Sequence, residues 1–225
     1  MIVAVTGTNT DVGKTVATAA IASVLRRRGV DVVAAKPIQT GEAPGQGDAS
    51  AVAKLAGIAT FEHWRYPEPL APNLAARRAG IQTPSLNEVT EWVRSLNAPD
   101  RVVLVEGAGG LLVRLADDYT LADIASALGA PLVVVTSLGL GSLNLAELTC
   151  VQARARGLDV LGIIGGAMPE VPDLPTRLNV EELPEVTSAE YWGHLPEGCG
   201  GLDEAEFAEV AWDAIGEAVR VGSRA

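Results

Sequence analysis

Gly7-Thr8-Asn9-Thr10-Asp11-Val12-Gly13-Lys14-Thr15 joins a short β-branched run, Ile2–Thr6, to a segment with helical spacing, Lys14–Arg28, that closes at Gly29. A glycine-bounded loop between a strand and a helix, ending in Gly-Lys-Thr, is suited to holding phosphate. Its successive backbone N–H groups face inward, and the helix behind adds about half a positive charge at its N-terminus. In that geometry Lys14 reaches the outer phosphates and the Thr15 hydroxyl ligates Mg²⁺. Five residues separate Gly7 from Gly13 where the strict Walker pattern has four, and Thr8 stands where the first glycine is expected.

Outward from the loop, apolar strands alternate with helical patterns. Asp31–Lys36 reads as a strand stopped by Pro37, and Ala49–Ala56 as a helix. Ser85–Leu96 is an amphipathic helix with Leu86, Val89, Val93 and Leu96 on one side. Arg101–Val105, Leu132–Thr136 and Val160–Ile164 read as strands, and Leu121–Leu128 and Leu143–Arg156 as helices. Asp203–Arg220 closes the chain as a helix, with Asp203 and Glu206 at capping-box spacing. The pattern dissolves over 167–190, rich in Pro and Glu. Strands that are apolar throughout and separated by helices predict an α/β fold of P-loop NTPase type: one doubly wound, mostly parallel sheet with helices on both faces. At 225 residues a single domain, 1–225, is expected.

A net charge of -11 argues against nucleic acid or an anionic membrane as partner. The charge is uneven: residues after 150 hold fourteen acidic against five basic side chains, so the phosphate-handling half is nearly neutral. Cys150 and Cys199 are too few for a disulfide framework and fit a reduced compartment. The opening lacks a basic n-region, no signal peptide is expected, and a cytoplasmic location follows.

A bound triphosphate needs carboxylates to complete its metal. Glu106 ends the strand Val102–Val105 and is followed by Gly107-Ala108-Gly109-Gly110. A carboxylate at the tip of a buried strand is costly unless paired or metal-bound, and that rim is where doubly wound sheets bind ligands. Asp48 is either a second metal ligand or the N-cap of the helix that follows it. Lys36, one of only three lysines, ends a strand on the same rim. It is either a second cation near the γ-phosphate, as transfer chemistry needs, or a lysine snorkelling from a strand end. Gly139-Leu-Gly-Ser-Leu-Asn144 is either an anion site at a helix start or an ordinary βα turn.

Four motifs in order, Gly7–Thr15, Lys36-Pro-Ile-Gln-Thr-Gly41, Val105-Glu-Gly-Ala-Gly-Gly110 and Gly139–Asn144, resemble dethiobiotin synthetase over residues 2–166, and Pro67–Pro72 is similar to the family's proline-rich segment over the substrate site. The resemblance implies ring closure of 7,8-diaminononanoate with CO₂ and ATP to a cyclic urea. One amine is carbamated, the carbamate takes the γ-phosphoryl group, and the second amine displaces phosphate. By the same resemblance Lys36, Lys14 and Thr10 form the catalytic set. Thr15, Asp48 and Glu106 hold Mg²⁺. Asp11, Val12, Gly13, Lys14, Thr15 and Val16 bind nucleotide together with Asp48, Glu106, Gly107, Ala108 and Gly109, while Gly166, Ala167, Pro196, Glu197 and Gly198 border the base. Thr40 contacts the diamine. Gly141, Ser142, Leu143 and Asn144 bind its carboxylate from the neighbouring subunit of a homodimer. The family often carries Asn-Asp after the strand that is Gly162–Ile164 here; this chain has Gly165-Gly166-Ala167-Met168 instead, which leaves base preference open. Two other readings compete. A nucleotide-switch ATPase acting on a protein partner carries a second lysine early in its loop, where this chain has Thr8, Asn9 and Thr10. An activating domain fused to a glutaminase would need a partner domain that the chain has no room for.

Overall fold

The computed structural model describes residues 1–221. In chain order the elements are β1 (Ile2–Gly7), α1 (Lys14–Arg27), β2 (Asp31–Thr40), α2 (Asp48–Ala56), β3 (Thr60–Tyr66), α3 (Pro72–Ala79), α4 (Leu86–Ser95), β4 (Arg101–Gly110), α5 (Leu121–Leu128), β5 (Leu132–Thr136), α6 (Ser142–Ala155), β6 (Val160–Met168), α7 (Leu174–Thr187), β7 (Tyr191–Pro196) and α8 (Glu204–Ile215). The seven strands form one sheet in the order β3-β2-β4-β1-β5-β6-β7, and every neighbouring pair is parallel.

Strands that are apolar at every position supply two cores, because successive side chains face opposite sides. On β4, Val102 and Leu104 join the core under α1, α2 and α8, whereas Val103 and Val105 join the one under α3, α4 and α5. β2 divides in the same way, with Val32 and Ala34 on the first face and Val33, Ala35 and Ile38 on the second. Each large side chain so buried contributes about 1.5–3 kcal/mol relative to exposure. α4 has the expected apolar stripe, and Ser85 with Glu88 closes a capping box at its start (Glu88 N–H to Ser85 Oγ, 3.3 Å; Ser85 N–H to Glu88 Oε2, 2.8 Å).

From β1 the chain builds β2 and β3 on one side, returns through β4 beside β1, and then builds β5, β6 and β7 on the other side. That reversal sets the carboxyl ends of β1, β2 and β4 side by side, the position at which open α/β sheets bind ligands.

Several elements differ from the sequence expectation. β2 does not stop at Pro37 but continues to Thr40. Its ladder with β4 ends at Ala35↔Val105 and its pairing with β3 skips residue 37, so the missing N–H costs no ladder bond. Within 167–190 lies a full helix, α7. Pro175 stands in its first turn, where N–H groups have no helical partner, and Asp173 Oδ1 caps it by accepting the Thr176 N–H at 2.9 Å. The final helix ends at Ile215 rather than Arg220. Half of its expected capping box forms, with Asp203 Oδ1 accepting from the Glu206 N–H at 3.0 Å.

Candidate functional site

The loop from Thr8 to Gly13 is tied down at both ends. The Thr8 N–H donates to the Val135 carbonyl at 2.9 Å and its hydroxyl meets Thr136 Oγ1 at 3.2 Å. Asn9 Oδ1 accepts from the Thr10 N–H at 2.8 Å. Asp11 (φ 57) and Gly13 (φ 91) adopt left-handed backbone, which turns the chain into α1 at Lys14. For Asp11 that conformation carries strain of the kind found at ligand-binding loops. Gly166, at the tip of β6, lies against the loop so closely that a Cβ there would stand 1.6 Å from the Val12 carbonyl oxygen.

Beneath the loop four side chains converge from four elements, α1, β2, α2 and β4. The Thr15 hydroxyl, in the first turn of α1, lies 2.9 Å from Asp48 Oδ1 and 3.0 Å from Glu106 Oε1. Lys36 Nζ lies 2.5 Å from Asp48 Oδ2 and 3.0 Å from Glu106 Oε1, and donates to the Gly107 carbonyl at 2.8 Å. Lys36 is 4% exposed and Glu106 3%. Lys36 is therefore held inside the site and does not snorkel. Asp48 opens α2 as its first residue, with Gly47 in the cap position, so its carboxylate is turned to the cluster and does not cap the helix. Lys14 Nζ, nearby, donates to the Asn9 carbonyl at 3.0 Å.

These neighbours set the charges. Burial pushes the Glu106 carboxyl above the usual carboxylate range, only partly offset by Lys36. Burial acts on Asp48 in the same direction, but the Lys36 ammonium and the Thr15 hydroxyl hold it below that range. Lys36 would be lowered by burial, yet Glu106 and Asp48 together raise it. Lys14 is lowered, by burial first and then by the like charge of Lys36.

Thr15, Lys36 and Asp48 of this cluster line a cavity of about 810 Å³, within the usual range for small-molecule sites, and Glu106 is buried outside that lining. Thr10, Asp11, Gly13, Lys14, Val16, Thr40, Ala108 and Gly109 also line it, as do residues 69–72. Val12, within the loop, is buried, and the Gly107 carbonyl accepts from Lys36. Glu106 Oε2 is buried with no hydrogen-bond partner. An unpartnered carboxylate oxygen beside a second carboxylate and a hydroxyl fits a divalent cation. Among the described residues no group of three His, Cys, Asp or Glu could hold a metal, so the remaining ligands would come from phosphate and water, the usual arrangement for Mg²⁺.

The other expected residues stand outside this cavity. Ala167 is exposed at the β6 tip, and the Glu197 N–H donates to the Met168 carbonyl at 2.8 Å, which sets Pro196–Gly198 beside that tip. Gly141 (φ 91) turns the chain into α6, Ser142 is buried and Asn144 exposed. Sequence reasoning missed Asn179, whose Nδ2 donates to the carbonyls of Leu138 (2.9 Å) and Gly139 (2.8 Å) and to Ser142 Oγ (3.2 Å), pinning that turn. It also assigned no role to Gln39, a buried residue within a motif singled out for its lysine.

An AAA domain family model matches residues 2–198. The chain is 56% identical over 212 residues to the ATP-dependent dethiobiotin synthetase of Corynebacterium diphtheriae, covering 94% of this chain and 96% of the other. It is 50% identical over 213 residues to the enzyme of the same name from Rhodococcus jostii, covering 93% and 92%. Among solved structures, the Aquifex aeolicus MinC:MinD cell division complex matches with TM-score 0.54 at 15% identity, covering 93% of this chain and 86% of that chain. FtsY from Thermotoga maritima matches with TM-score 0.52 at 14% identity, covering 94% and 68%. Those two show the fold alone. Identity over nearly the full length, together with the loop, the buried lysine and its two carboxylates, makes this chain a member of the dethiobiotin synthetase family.

Proposed function

We propose that the chain closes a cyclic urea on 7,8-diaminononanoate with CO₂ and ATP, giving dethiobiotin, ADP and phosphate. An amine adds to CO₂ and loses a proton to become a carbamate. A carbamate oxygen then attacks the γ-phosphorus and ADP leaves. The second amine attacks the carbamoyl carbon of the mixed anhydride, and phosphate leaves as the ring closes. The observation that carries this reading is the Lys36 ammonium, buried between two carboxylates in a wall that Lys14, Thr15 and Thr40 share. A carbamate and a triphosphate repel, and fixed cations at that wall lower the repulsion while holding the reactants in line.

The loop from Asp11 to Val16 holds the phosphates, with Lys14 on the outer ones. Thr15, Asp48 and Glu106 hold Mg²⁺, which supplies charge neutralisation of the phosphoryl oxygens. Lys36 faces the carbamate and the transferring group, Thr10 lies at the mouth of the loop, and Thr40 contacts the diamine. Gly166, Ala167 and Pro196–Gly198 border the base.

The chain acts as a homodimer in this reading, with Gly141–Asn144 reaching the partner's cavity to hold the substrate carboxylate. Large apolar side chains left exposed nearby support it: Leu140 (90%), Leu148 (57%) and Val151 (54%) in and before α6, and Leu174 (58%) on the packed helix α7. No helix among the described residues is long and apolar enough to cross a membrane.

The test is ADP release with diaminononanoate, bicarbonate and ATP, each omitted in turn, with the product identified by mass. Release that needs all three and yields the cyclic urea is expected. Release that ignores the diamine would overturn the proposal and return the chain to the switch ATPases.

A further inference from the structure

Gln39, near the carboxyl end of β2, is 5% exposed and lines the cavity with Lys36 and Thr40. Its Oε1 accepts the backbone N–H of Asp48 at 3.0 Å, and its Nε2 donates to the Thr40 carbonyl at 3.1 Å. α2 begins at Asp48, and Gly47 before it supplies no side-chain cap. The first N–H groups of a helix have no partner within it and are usually met by the side chain at the cap. Here the acceptor comes from a strand nine residues earlier. Gly47 has φ 109, and a Cβ there would stand 2.8 Å from Gln39 Cδ and Oε1. The turn and the amide thus meet in a contact that only glycine admits.

The loop between β2 and α2 has a second anchor. Arg65 donates to the carbonyls of Glu42 (2.6 Å), Ala43 (2.8 Å) and Gln46 (2.7 Å). Arg65 clamps the outer part, and Gln39 fixes the inner end, where Asp48 leaves for the cluster. We propose that Gln39 is a positioning residue for the divalent cation: it sets the main chain of Asp48, and through it the carboxylate that faces Thr15 and Lys36. The proposal rests on the reading of Thr15, Asp48 and Glu106 as the Mg²⁺ site. Mg²⁺ demands near-ideal octahedral geometry, so a ligand displaced by a fraction of an ångström loses affinity, and losing a partner that orients a ligand costs about 10–100-fold. The same amide also holds the Thr40 carbonyl, so the metal ligand and the proposed diamine contact are referenced to one group.

Gln39→Met keeps the side-chain length and removes both hydrogen bonds. The test titrates Mg²⁺ against the full-length protein at fixed AMPPNP, reading the melting temperature, and measures AMPPNP affinity separately in EDTA. Gln39→Met is expected to raise the Mg²⁺ midpoint about tenfold or more while affinity in EDTA stays within about twofold. Gln39→Glu, which keeps the acceptor, is expected at or below the wild-type midpoint. A Gln39→Met midpoint within about twofold of wild type overturns the proposal, and so does an equal loss of affinity in EDTA, which would mark general loop damage. Should Gln39→Met not fold, Gly47→Ala disturbs the same contact from the other side, and its Mg²⁺ midpoint decides in the same way. A wild-type protein that gains no stability from Mg²⁺ with AMPPNP would instead refute the metal site itself.

Discussion

Gly166→Ala tests how closely the β6 tip and the phosphate loop depend on each other. The added Cβ would lie 1.6 Å from the Val12 carbonyl oxygen and 2.6 Å from its carbon, both backbone atoms that no rotamer change can move. Carbon–oxygen contacts settle at about 3.3 Å, so loop and strand tip must part by more than about 1.5 Å. The other side of the contact has no slack, because Gly13 itself sits against Gly166, with its own Cβ position 2.9 Å from the Gly166 carbonyl. Overpacking of this kind costs about 1–3 kcal/mol or more, roughly 2–12 °C in a domain of this size. The functional loss is larger, since a displacement of about 1 Å in a positioning element costs about a hundredfold. Differential scanning calorimetry and kcat/KM for ADP release measure the two effects. Gly201→Ala is the control, because Gly201 is exposed and nothing lies within 4 Å of its Cβ position. Wild-type melting and turnover in Gly166→Ala would show that the loop does not lean on β6.

Three further outcomes follow from the same geometry. Lys36→Gln should fold and lose about 10²–10³ in kcat, with nucleotide affinity within about tenfold because Lys14 and the loop amides remain; near wild-type kcat would remove Lys36 from the chemistry. An Asn side chain directly after Ile164 of β6 has no room here, since a Cβ on Gly165 would lie 2.8 Å from Leu138 Cδ2 and 2.9 Å from His194 Cβ, and Gly166 is tighter still. ATP, GTP, CTP and UTP should therefore differ in kcat/KM by only about 1–2 kcal/mol, and a thousandfold preference for ATP would mean that Pro196–Gly198 reads adenine. Burial pushes the Cys150 thiol up to about 11 and raises Cys199 as well; both thiols are buried, and iodoacetamide at pH 7.5 should leave both unmodified in native protein. Rapid labelling of either cysteine would contradict that.

The interior of the sheet was legible in the sequence because its strands are apolar at every position and its turns carry glycine. The unassigned strands, β3 and β7, are the two edges. β3 is paired on one side only, and its Glu62, His63 and Arg65 interrupt the apolar run; β7 carries Gly193 and Pro196. α7 was hidden for a different reason. Its buried face is Thr176, Asn179, Leu183 and Thr187, at helical spacing but with three polar members, so hydrophobic periodicity had nothing to register. Asn179 and Thr187 meet their hydrogen-bonding needs inside, through the Leu138 and Gly139 carbonyls and the Leu183 carbonyl, which is what makes a polar stripe tolerable there.

In the cluster, residue types were legible and charges were not. Lys36 stood out through the scarcity of lysine, and Glu106 through its place at a buried strand tip. Their meeting follows from the β2–β4 register, in which Ala35 faces Val105 and the next residue of each strand is Lys36 and Glu106. No pattern in the sequence says that two carboxylates sharing one lysine are driven apart, Glu106 upward at 3% exposure and Asp48 downward at 33%, because burial is a property of the assembled sheet. The same surroundings raise Lys36 above its ordinary range. A lysine so held cannot give up its proton near neutral pH and is unsuited to general-base work, for which its pKa would have to fall toward the working pH. What it can offer a carbamate and a γ-phosphoryl group is a fixed positive charge, oriented before either arrives and bearing on their repulsion alone.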